Sequence, residues 1–494
     1  MRKRLTISAA LAAALLLTNP AGAATGAVGA SGAGDAYYPQ YGNGGYDVSH
    51  YDLRLKYQPA TDQLEGTATI LATTTAALSR FNLDFALTVQ EVHVNGRKAR
   101  FAATGEHELE ITPAAPLGKG ERATVVVRYS GVPSTVSAYG FTAWQRTPDG
   151  GVAAGEPESA WWWFPSNDHP SDKATFDVSV LVPDGTQAIS NGALVSQSSR
   201  LGWTRYNWRQ TKPQATYLAT LAVGRFELNT SVSDGGIPVI TAYSRDLGDN
   251  AGAARASLER TGEITDWLST QLGPYPFATV GGYVPNTKPG YALETQSQVY
   301  YSPRIFGAGS NTSVVVHELA HQWYGDSVSL DRWSDIWLNE GFARYAQWLW
   351  SEHENEGTAQ ELADWVYSSR PADDPFWTVL PGDPGPDNQF HPAVYDRGAL
   401  AVQAIRNAVG DEAFFAVLRG WPAEHKYGNA TVEDFRRYAE RVSGKPLGDL
   451  LHTWLYTGGK PAAGTSPSLK ALTALTEPRS WQKIKATDTL HDAH

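Results

Sequence analysis

The segment VVVHELAHQWYGD, residues 314–326, has side chains that could bind a metal and catalyse hydrolysis. It contains the pattern H-E-x-x-H, formed by His317, Glu318 and His321. Residues four apart lie on one face of an α-helix, so both imidazoles can reach the same point. A catalytic zinc ion takes three protein ligands and keeps one position for water. The pattern therefore predicts a metal site that needs a third ligand.

The third ligand is expected on the following helix. The segment WLNEGFARY places Glu340 in the first turns of a predicted helix, and 18 residues separate it from His321. That spacer can hold a helix end, a loop and a helix start, so a helix hairpin can bring Glu340 against the histidines. In H-E-x-x-H sites the glutamate does not bind the metal but faces a water molecule there. Glu318 is therefore the expected general base, and the predicted cofactor is one zinc ion per chain.

The elements that must position these residues follow two patterns. From about residue 37 to 244, apolar and polar residues alternate with period two, as in HYDLRLKY at residues 50–57. Asn95-Gly96 between two such runs predicts a hairpin. We expect an antiparallel β domain here, with one sheet face buried. Residues 245–460 change to mixed and then helical patterns that break at Gly, Pro and Asn/Asp clusters, so the predicted fold class is α+β and multidomain.

The two ends of the chain have patterns of their own. Residues 1–23 combine a basic start, a short apolar run and Ala-Gly-Ala, which predicts a cleavable signal peptide and a secreted, extracellular protein. The apolar run is shorter than the roughly 20 residues of a membrane span, so no stable membrane insertion is expected after cleavage. Residues 24–36 are rich in Gly and Ala and are predicted to be a flexible leader, and residues 461–494 a polar C-terminal tail.

Composition excludes several classes of protein and site. A length of 494 residues is too great for one compact core, so two or three domains are expected. The net charge of −11 argues against nucleic acid as a partner, because such proteins need a basic face. The chain has no cysteine, which excludes disulfides, thiolate metal ligands and cysteine nucleophiles.

The segment HELAHQWYGDSVSLDRWSDIWLNEGFARY resembles the M1 zinc aminopeptidases, or gluzincins, in its H-E-x-x-H, its spacer and the N-E-G around Glu340. Other segments match in the same order, so the resemblance extends over roughly residues 40–460. It implies an N-terminal β domain, a thermolysin-like catalytic domain, a zinc cofactor and peptide substrates with a free N-terminus.

The segment PGYALETQ, residues 289–296, is similar to the exopeptidase motif of that family, commonly G-x-M-E-N. Leu293 stands where Met is common, and Thr295 stands where Asn is common. The glutamate is kept, so the resemblance implies that Glu294 binds the α-amine of the substrate. Ala292, in the same segment, is a second expected substrate contact.

Two further segments resemble parts of the family's site. VYDRGAL resembles Y-E-K-G, which implies that Tyr395 donates a hydrogen bond to the oxyanion of the tetrahedral intermediate. EPESAWWWF resembles the end of the family's N-terminal β domain, where a Gln or Glu a few residues upstream helps to hold the amine; here Ala154 stands in the place of the usual Gln. Glu156 is the first candidate for that contact and Glu158 the second. The Trp run at 161–163 is expected to pack in the core.

Two other functions are compatible with parts of this sequence. A thermolysin-like endopeptidase would share the H-E-x-x-H pattern and the distal glutamate. The segment around Glu294 and the preceding β domain argue against it. A non-catalytic zinc scaffold would be credible if Glu318 or Tyr395 were missing, but both are present.

Overall fold

The computed structural model describes residues 26–138, 142–462 and 476–491; the predicted signal peptide at 1–23 lies outside them. The first half of the described chain is built from β-strands. In chain order they are β1 (Ala27–Val28), β2 (Tyr46–Gln58), β3 (Gln63–Thr74), β4 (Leu78–Asp84), β5 (Thr88–Val94), β6 (Arg97–Lys98), β7 (Arg100–Thr104), β8 (Glu108–Thr112), β9 (Arg122–Gly131), β10 (Trp144–Thr147), β11 (Gly150–Ala153), β12 (Ala174–Pro183), β13 (Gln187–Ser190), β14 (Ala193–Arg200), β15 (Trp203–Gln214) and β16 (Leu221–Gly224).

These strands form three sheets. Eight of them pair in the order β14-β15-β12-β2-β3-β9-β5-β6, and two four-stranded sheets have the orders β1-β4-β8-β7 and β10-β11-β16-β13. The alternation in β2 buries Tyr51, Leu53 and Leu55 on one face, as period two requires. The predicted hairpin is confirmed, because Asn95 and Gly96 both have positive φ, 50° and 73°, between β5 and β6.

The prediction of an antiparallel domain is wrong for two strand pairs, one of which is β1 with β4. β12 runs parallel to β2 in the middle of the large sheet, with Phe176 opposite Tyr51. Alternation reports which face of a strand is buried but not the direction of its neighbour. A parallel partner more than 100 residues away therefore gives no local signal.

The segment 26–36 is not a flexible leader. β1 pairs with β4, and the Gly29 amide donates to the Arg80 carbonyl at 2.9 Å. The buried Asp35 carboxylate accepts hydrogen bonds from the amides of Tyr37, at 2.8 Å, and Trp333, at 2.8 Å. The Gly and Ala residues of this segment permit the close packing. The same residues are common in flexible segments, and this is why the sequence predicted a flexible leader.

The second half combines one more sheet with helices. Its strands are β17 (Phe226–Val232), β18 (Pro238–Ser244), β19 (Val280–Val284), β20 (Ala292–Leu293) and β21 (Val299–Tyr301), with a short pair β22 (Ser329–Leu330) and β23 (Asn429–Ala430). The five-stranded sheet has the order β17-β18-β19-β21-β20. The predicted domain division at 244/245 therefore falls inside this sheet, because β18 pairs directly with β19.

Helices complete the second half. They are α1 (Ala251–Leu258), α2 (Thr261–Leu272), α3 (Thr312–Ala320), α4 (Trp337–His353), α5 (Ala359–Ser369), α6 (Pro392–Val409), α7 (Asp411–His425), α8 (Val432–Ser443), α9 (Gly448–Leu455) and α10 (Trp481–His491). The α+β class is thus confirmed. α3 and α4 pack together in the main core, and Trp481 and Ile484 of the predicted tail join it. None of the helices in the described ranges has the length and hydrophobicity to cross a bilayer.

Candidate active site

Helix α3 positions the two histidines. It begins at Asn311, whose side-chain oxygen accepts hydrogen bonds from the amides of Ser313, at 3.0 Å, and Val314, at 3.3 Å. Such a cap satisfies amides that a helix start leaves unpaired. The i, i+4 spacing then brings the rings of His317 and His321 to a centroid distance of 4.8 Å. Both rings are buried, so the helix holds two imidazoles together away from water.

Glu340, in the first turn of α4, faces both imidazoles. Its Oε2 lies 3.1 Å from Nε2 of His317 and 3.5 Å from Nε2 of His321. One ligand atom from each of the three residues lies within 4.8 Å of the others. The packing of α3 against α4 produces this convergence, which the spacer of 18 residues predicted.

Hydrogen bonds on the far side of each ring select the tautomer. Nδ1 of His317 lies 3.2 Å from Oε1 of Gln347, and Nδ1 of His321 lies 3.1 Å from the Tyr324 carbonyl. The Gln347 amide nitrogen donates to Ser313, which leaves its oxygen to accept. Each Nδ1 therefore carries the proton, and each Nε2 presents a lone pair toward Glu340. Metal-binding histidines are commonly oriented in this way.

The three residues fit a zinc ion. Two imidazole nitrogens and a carboxylate are a donor set that catalytic zinc uses. The electrostatics agree: although burial lowers the pKa of His321, Glu340 and Glu294 together raise it well above its usual range. The carboxylates thus favour a positive charge at this point. His317, Glu340 and His321 would hold the ion.

Glu318 and Tyr395 both lie beside this centre. One ligand atom each of Glu318, Glu294 and His321 falls within 4.8 Å of the others. Tyr395, on α6, stacks on the His317 ring with a centroid distance of 5.9 Å. Burial raises the pKa of Glu318 and that of Tyr395 well above their usual ranges. The tyrosine therefore keeps its proton and can donate it in a hydrogen bond.

Glu294 follows β20 at the edge of the five-stranded sheet. Tyr217 donates its hydroxyl to Oε1 of Glu294 at 3.2 Å, and the Gln322 side chain donates to the Glu294 carbonyl at 3.1 Å. Tyr217 thus fixes the Glu294 carboxylate, and Gln322 fixes the Glu294 backbone. Glu156 reaches the same cavity from the N-terminal half. Its Oε1 is buried and lacks a hydrogen-bond partner, and burial, followed by the charges of Glu294 and Glu340, raises its pKa.

The structure brings the sequence-predicted site residues, except Glu158, to one cavity. Its lining includes Glu156, Ala292, Glu294, His317, Glu318, His321, Glu340 and Tyr395, together with Tyr291, Leu293 and Phe390. Glu158 is not among them. Its carboxylate accepts hydrogen bonds from Tyr41, at 2.6 Å, and Trp161, at 2.7 Å.

Two family descriptions match most of the chain. The Peptidase M1 N-terminal domain matches residues 48–218, and the Peptidase family M1 domain matches residues 302–454. Among solved structures, an M1 zinc metallopeptidase mutant from Deinococcus radiodurans is 30% identical, with a TM-score of 0.77, over 87% of this chain and 100% of that one. The chain belongs to peptidase family M1.

This M1 chain is also similar to a second solved structure and to two curated aminopeptidases. A second Deinococcus radiodurans mutant structure, bound to a Tyr-Ser-Ala substrate, is 29% identical with a TM-score of 0.78 and covers 89% of this chain and 100% of that one. Aminopeptidase M1-D of Oryza sativa subsp. japonica is 26% identical over 84% of this chain and 50% of its own length. Glutamyl aminopeptidase of Bos taurus is 27% identical over 62% of this chain and 34% of its own. This M1 chain thus spans half or less of these two curated relatives.

Several residues of the M1 site had no signal in the sequence. Tyr217 lies in a 3₁₀ turn after β15 and contacts Glu294 from the other half of the molecule. Gln347 orients His317 from ten residues inside α4. Phe390 precedes α6 and lines the cavity. An isolated Tyr, Gln or Phe has no pattern that marks it as part of a site, and only the tertiary packing identifies these three.

Proposed function

We propose that this M1 peptidase is a zinc-dependent aminopeptidase that releases the N-terminal residue of peptides. The observation that supports this most strongly is the position of Glu294 and Glu156. Both buried carboxylates line the cavity that also contains the zinc-binding triad. Two anions beside a hydrolytic centre provide a site for one cation, and the N-terminal ammonium of a peptide supplies it.

The ammonium site determines which bond is cut. A peptide that binds with its amine between Glu294 and Glu156 places its first carbonyl beside His317, His321 and Glu340. Hydrogen bonds to charged groups are stronger than neutral ones, and burial strengthens them further. A blocked N-terminus or an internal segment cannot form them. The register of binding therefore explains removal of a single residue.

Glu318 is the proposed general base. When bound, zinc supplies a Lewis acid that acidifies water and polarises a carbonyl. Glu318 takes the proton of the attacking water and delivers it to the leaving nitrogen. Burial and the negative charges of Glu294 and Glu340 raise the pKa of Glu318, which makes it a stronger base than an exposed glutamate. His321 opposes that shift.

Tyr395 is the proposed oxyanion donor. Tyr395 lines the cavity, and burial keeps its hydroxyl protonated. A donor aimed at developing negative charge commonly contributes about 3–4 kcal/mol to transition-state stabilisation. Tyr395 thus complements the base on the other side of the scissile carbonyl.

A panel of aminoacyl-arylamides tests the proposal. We expect hydrolysis of substrates with a free amine, complete loss of activity with a chelator, and recovery when zinc is added. Metal analysis should show that His321→Ala holds one zinc ion per chain fewer than the active wild type. Inactivity of the zinc-loaded protein toward the whole panel would contradict an aminopeptidase.

We further propose that the protein is secreted. The proposal is supported by residues 1–23, whose basic start, apolar run and small residues are typical of a signal peptide. Expression in a bacterial host with export machinery should place the protein in the periplasm or medium, with Ala24 at its N-terminus by mass spectrometry. A cytoplasmic product that retains Met1 would contradict it.

A further inference from the structure

A second group of metal-binding side chains lies in the N-terminal half, away from the active-site cavity. The antiparallel register of β4 and β8 places Asp84 directly opposite Glu108, and His107 precedes Glu108 in the chain. One ligand atom from each of the three falls within 4.8 Å of the others. Oδ1 of Asp84 lies 3.6 Å from Nε2 of His107. The pairing of β4 with β8 thus brings two carboxylates and an imidazole together at one point.

The polar atoms at this point are buried and unpaired. Oδ2 of Asp84 accepts from the Asn43 side chain at 3.1 Å and from the Asp168 amide at 2.7 Å, but Oδ1 has no hydrogen-bond partner. Neither carboxylate oxygen of Glu108 has a partner with hydrogen-bond geometry, although the Asn82 side chain is near enough to oppose the rise in the Glu108 pKa, and Nδ1 of His107 has none. Asp84 is 0% exposed and His107 is 3% exposed. Native proteins rarely leave so many buried polar atoms unpaired.

The charges at this point are also unbalanced. In the part of the chain that the structure describes, neither Asp84 nor Glu108 forms an ion pair with a lysine or arginine. Burial raises the pKa of Asp84 well above its usual range and that of Glu108 to about 7. Like charges directly opposite each other on two strands destabilise a sheet. A cation between the two carboxylates would remove both the repulsion and the unpaired oxygens.

We propose that Asp84, His107 and Glu108 form a second metal site, separate from the His317 centre, for a divalent transition-metal ion such as Mn²⁺ or Zn²⁺. Carboxylates suit Mn²⁺ and an imidazole suits Zn²⁺, so the mixed donor set disfavours Mg²⁺ and Ca²⁺. The Gln40 carbonyl accepts a hydrogen bond from Nε2 of His107 at 3.2 Å; a metal ion bound at Nε2 would replace that proton, and the carbonyl oxygen would then be a further ligand. The chain has no cysteine, so no thiolate competes with these residues for the metal ion.

The position of this site indicates a structural role. Asp84 accepts hydrogen bonds from the Asn43 side chain, in the segment just before β2, and from the Asp168 amide, in the segment between the Trp run at 161–163 and β12. The His107 ring stacks on Trp161 with a centroid distance of 5.1 Å. An ion here would connect the β4–β8 pair to both segments. It would stabilise the region that follows Glu156 in the chain without contacting the substrate.

Metal counting on the intact protein tests this site. The protein is loaded with Mn²⁺ or Zn²⁺, desalted and analysed for bound metal. We expect the wild type to hold two ions, Glu108→Gln to lose one, and His321→Ala to lose the other. Glu110→Gln is the matched control, because Glu110 lies two residues along β8 and pairs with Arg80 at 3.0 Å. It should keep both ions.

A measurement on the wild type alone guards against a variant that fails to fold. Anomalous diffraction at the manganese edge should show a peak between Asp84, His107 and Glu108 after loading with Mn²⁺. Absence of the peak, or equal metal content in Glu108→Gln and the wild type, would overturn the proposal and indicate a shared proton instead. Because these readouts do not use peptide hydrolysis, they stand apart from the proposed aminopeptidase activity.

Discussion

Glu318 combines a buried carboxylate with a position next to His317 in the chain and close to His321 in space. A carboxylate so placed is not needed to hold the fold, because its neighbours on α3 are packed by apolar side chains. It adds negative charge to a region that already contains Glu294 and Glu340. A protein keeps such a destabilising cluster of buried negative charge where the group serves catalysis.

Replacement of Glu318 by glutamine removes the proposed base and keeps the shape of the side chain. We expect kcat to fall by about 100- to 10,000-fold, the usual contribution of general acid–base catalysis. Bound zinc should remain, since Glu318 is not among the ligands. Kinetics and metal analysis of the same sample test this, with Glu352→Gln on α4 as the control. Activity within twofold of the wild type would show that another group is the base.

Tyr395→Phe tests the oxyanion donor. The ring would keep its stacking on His317 and its contact with the Arg344 guanidinium, which lies 5.5 Å from the ring centroid. Only the hydroxyl is lost, so kcat should fall about 100- to 1000-fold with little change in the melting temperature. Tyr345→Phe removes a buried hydroxyl that bonds Gln403 outside the cavity and should leave kcat unchanged. Equal kcat for both variants would contradict the role of Tyr395.

At the scale of elements, the site forms where one end of each of α3, α4, α6 and β20 lies close to the others. The sequence predicted the α3–α4 part because helix spacing and a short spacer limit the geometry. The sequence could not show which of Glu156 and Glu158 reaches the active-site cavity. Both lie in an irregular segment, and only the fold shows which one faces the cavity. Tyr217 was missed for the same reason.

Asn311→Ala tests the start of α3. Loss of the cap should cost about 1 kcal/mol of stability, since two amides lose their acceptor. It should also loosen the helix that presents His317, so zinc affinity should fall in parallel. Chemical denaturation and zinc titration measure the two effects. Asn229→Ala on the exposed β17 is the control, and a variant that matches it in both measurements would exclude the capping role.

At the scale of the whole molecule, the two halves contribute to one site. Glu156 comes from the first half, and the metal ligands come from the second. The alternation predicted the strands of the first half, but it could not show that β12 runs parallel to β2. It also placed β17 and β18 in the first half, although β17 pairs with β18 and β18 pairs with β19 of the second half. Pairing between distant strands depends on tertiary packing, which local periodicity does not report.

Lys173 connects the two halves beside the site. Its Nζ donates to the carbonyls of Asp326 at 2.8 Å, Ser327 at 3.1 Å and Gly428 at 3.3 Å, and burial lowers its pKa to about 7. Lys173→Met would leave these carbonyls without their donor. We expect a loss of about 1–3 kcal/mol in unfolding free energy.

Thermal and urea unfolding of Lys173→Met, beside an exposed Lys98→Met control, measure that loss. The melting temperature of the Lys98 variant should match the wild type, because its side chain is 73% exposed. An unchanged melting temperature for Lys173→Met would show that the halves associate without this contact.

The most direct test of the proposed function compares one peptide with a free N-terminus and the same peptide N-acetylated. Mass spectrometry should show stepwise release of N-terminal residues from the free peptide. Acetylation should lower kcat/KM by about 100-fold or more, because it removes charge-assisted hydrogen bonds to Glu294 and Glu156 of about 1.5–3 kcal/mol each. Internal cleavage of the acetylated peptide at a comparable rate would contradict an aminopeptidase and indicate an endopeptidase.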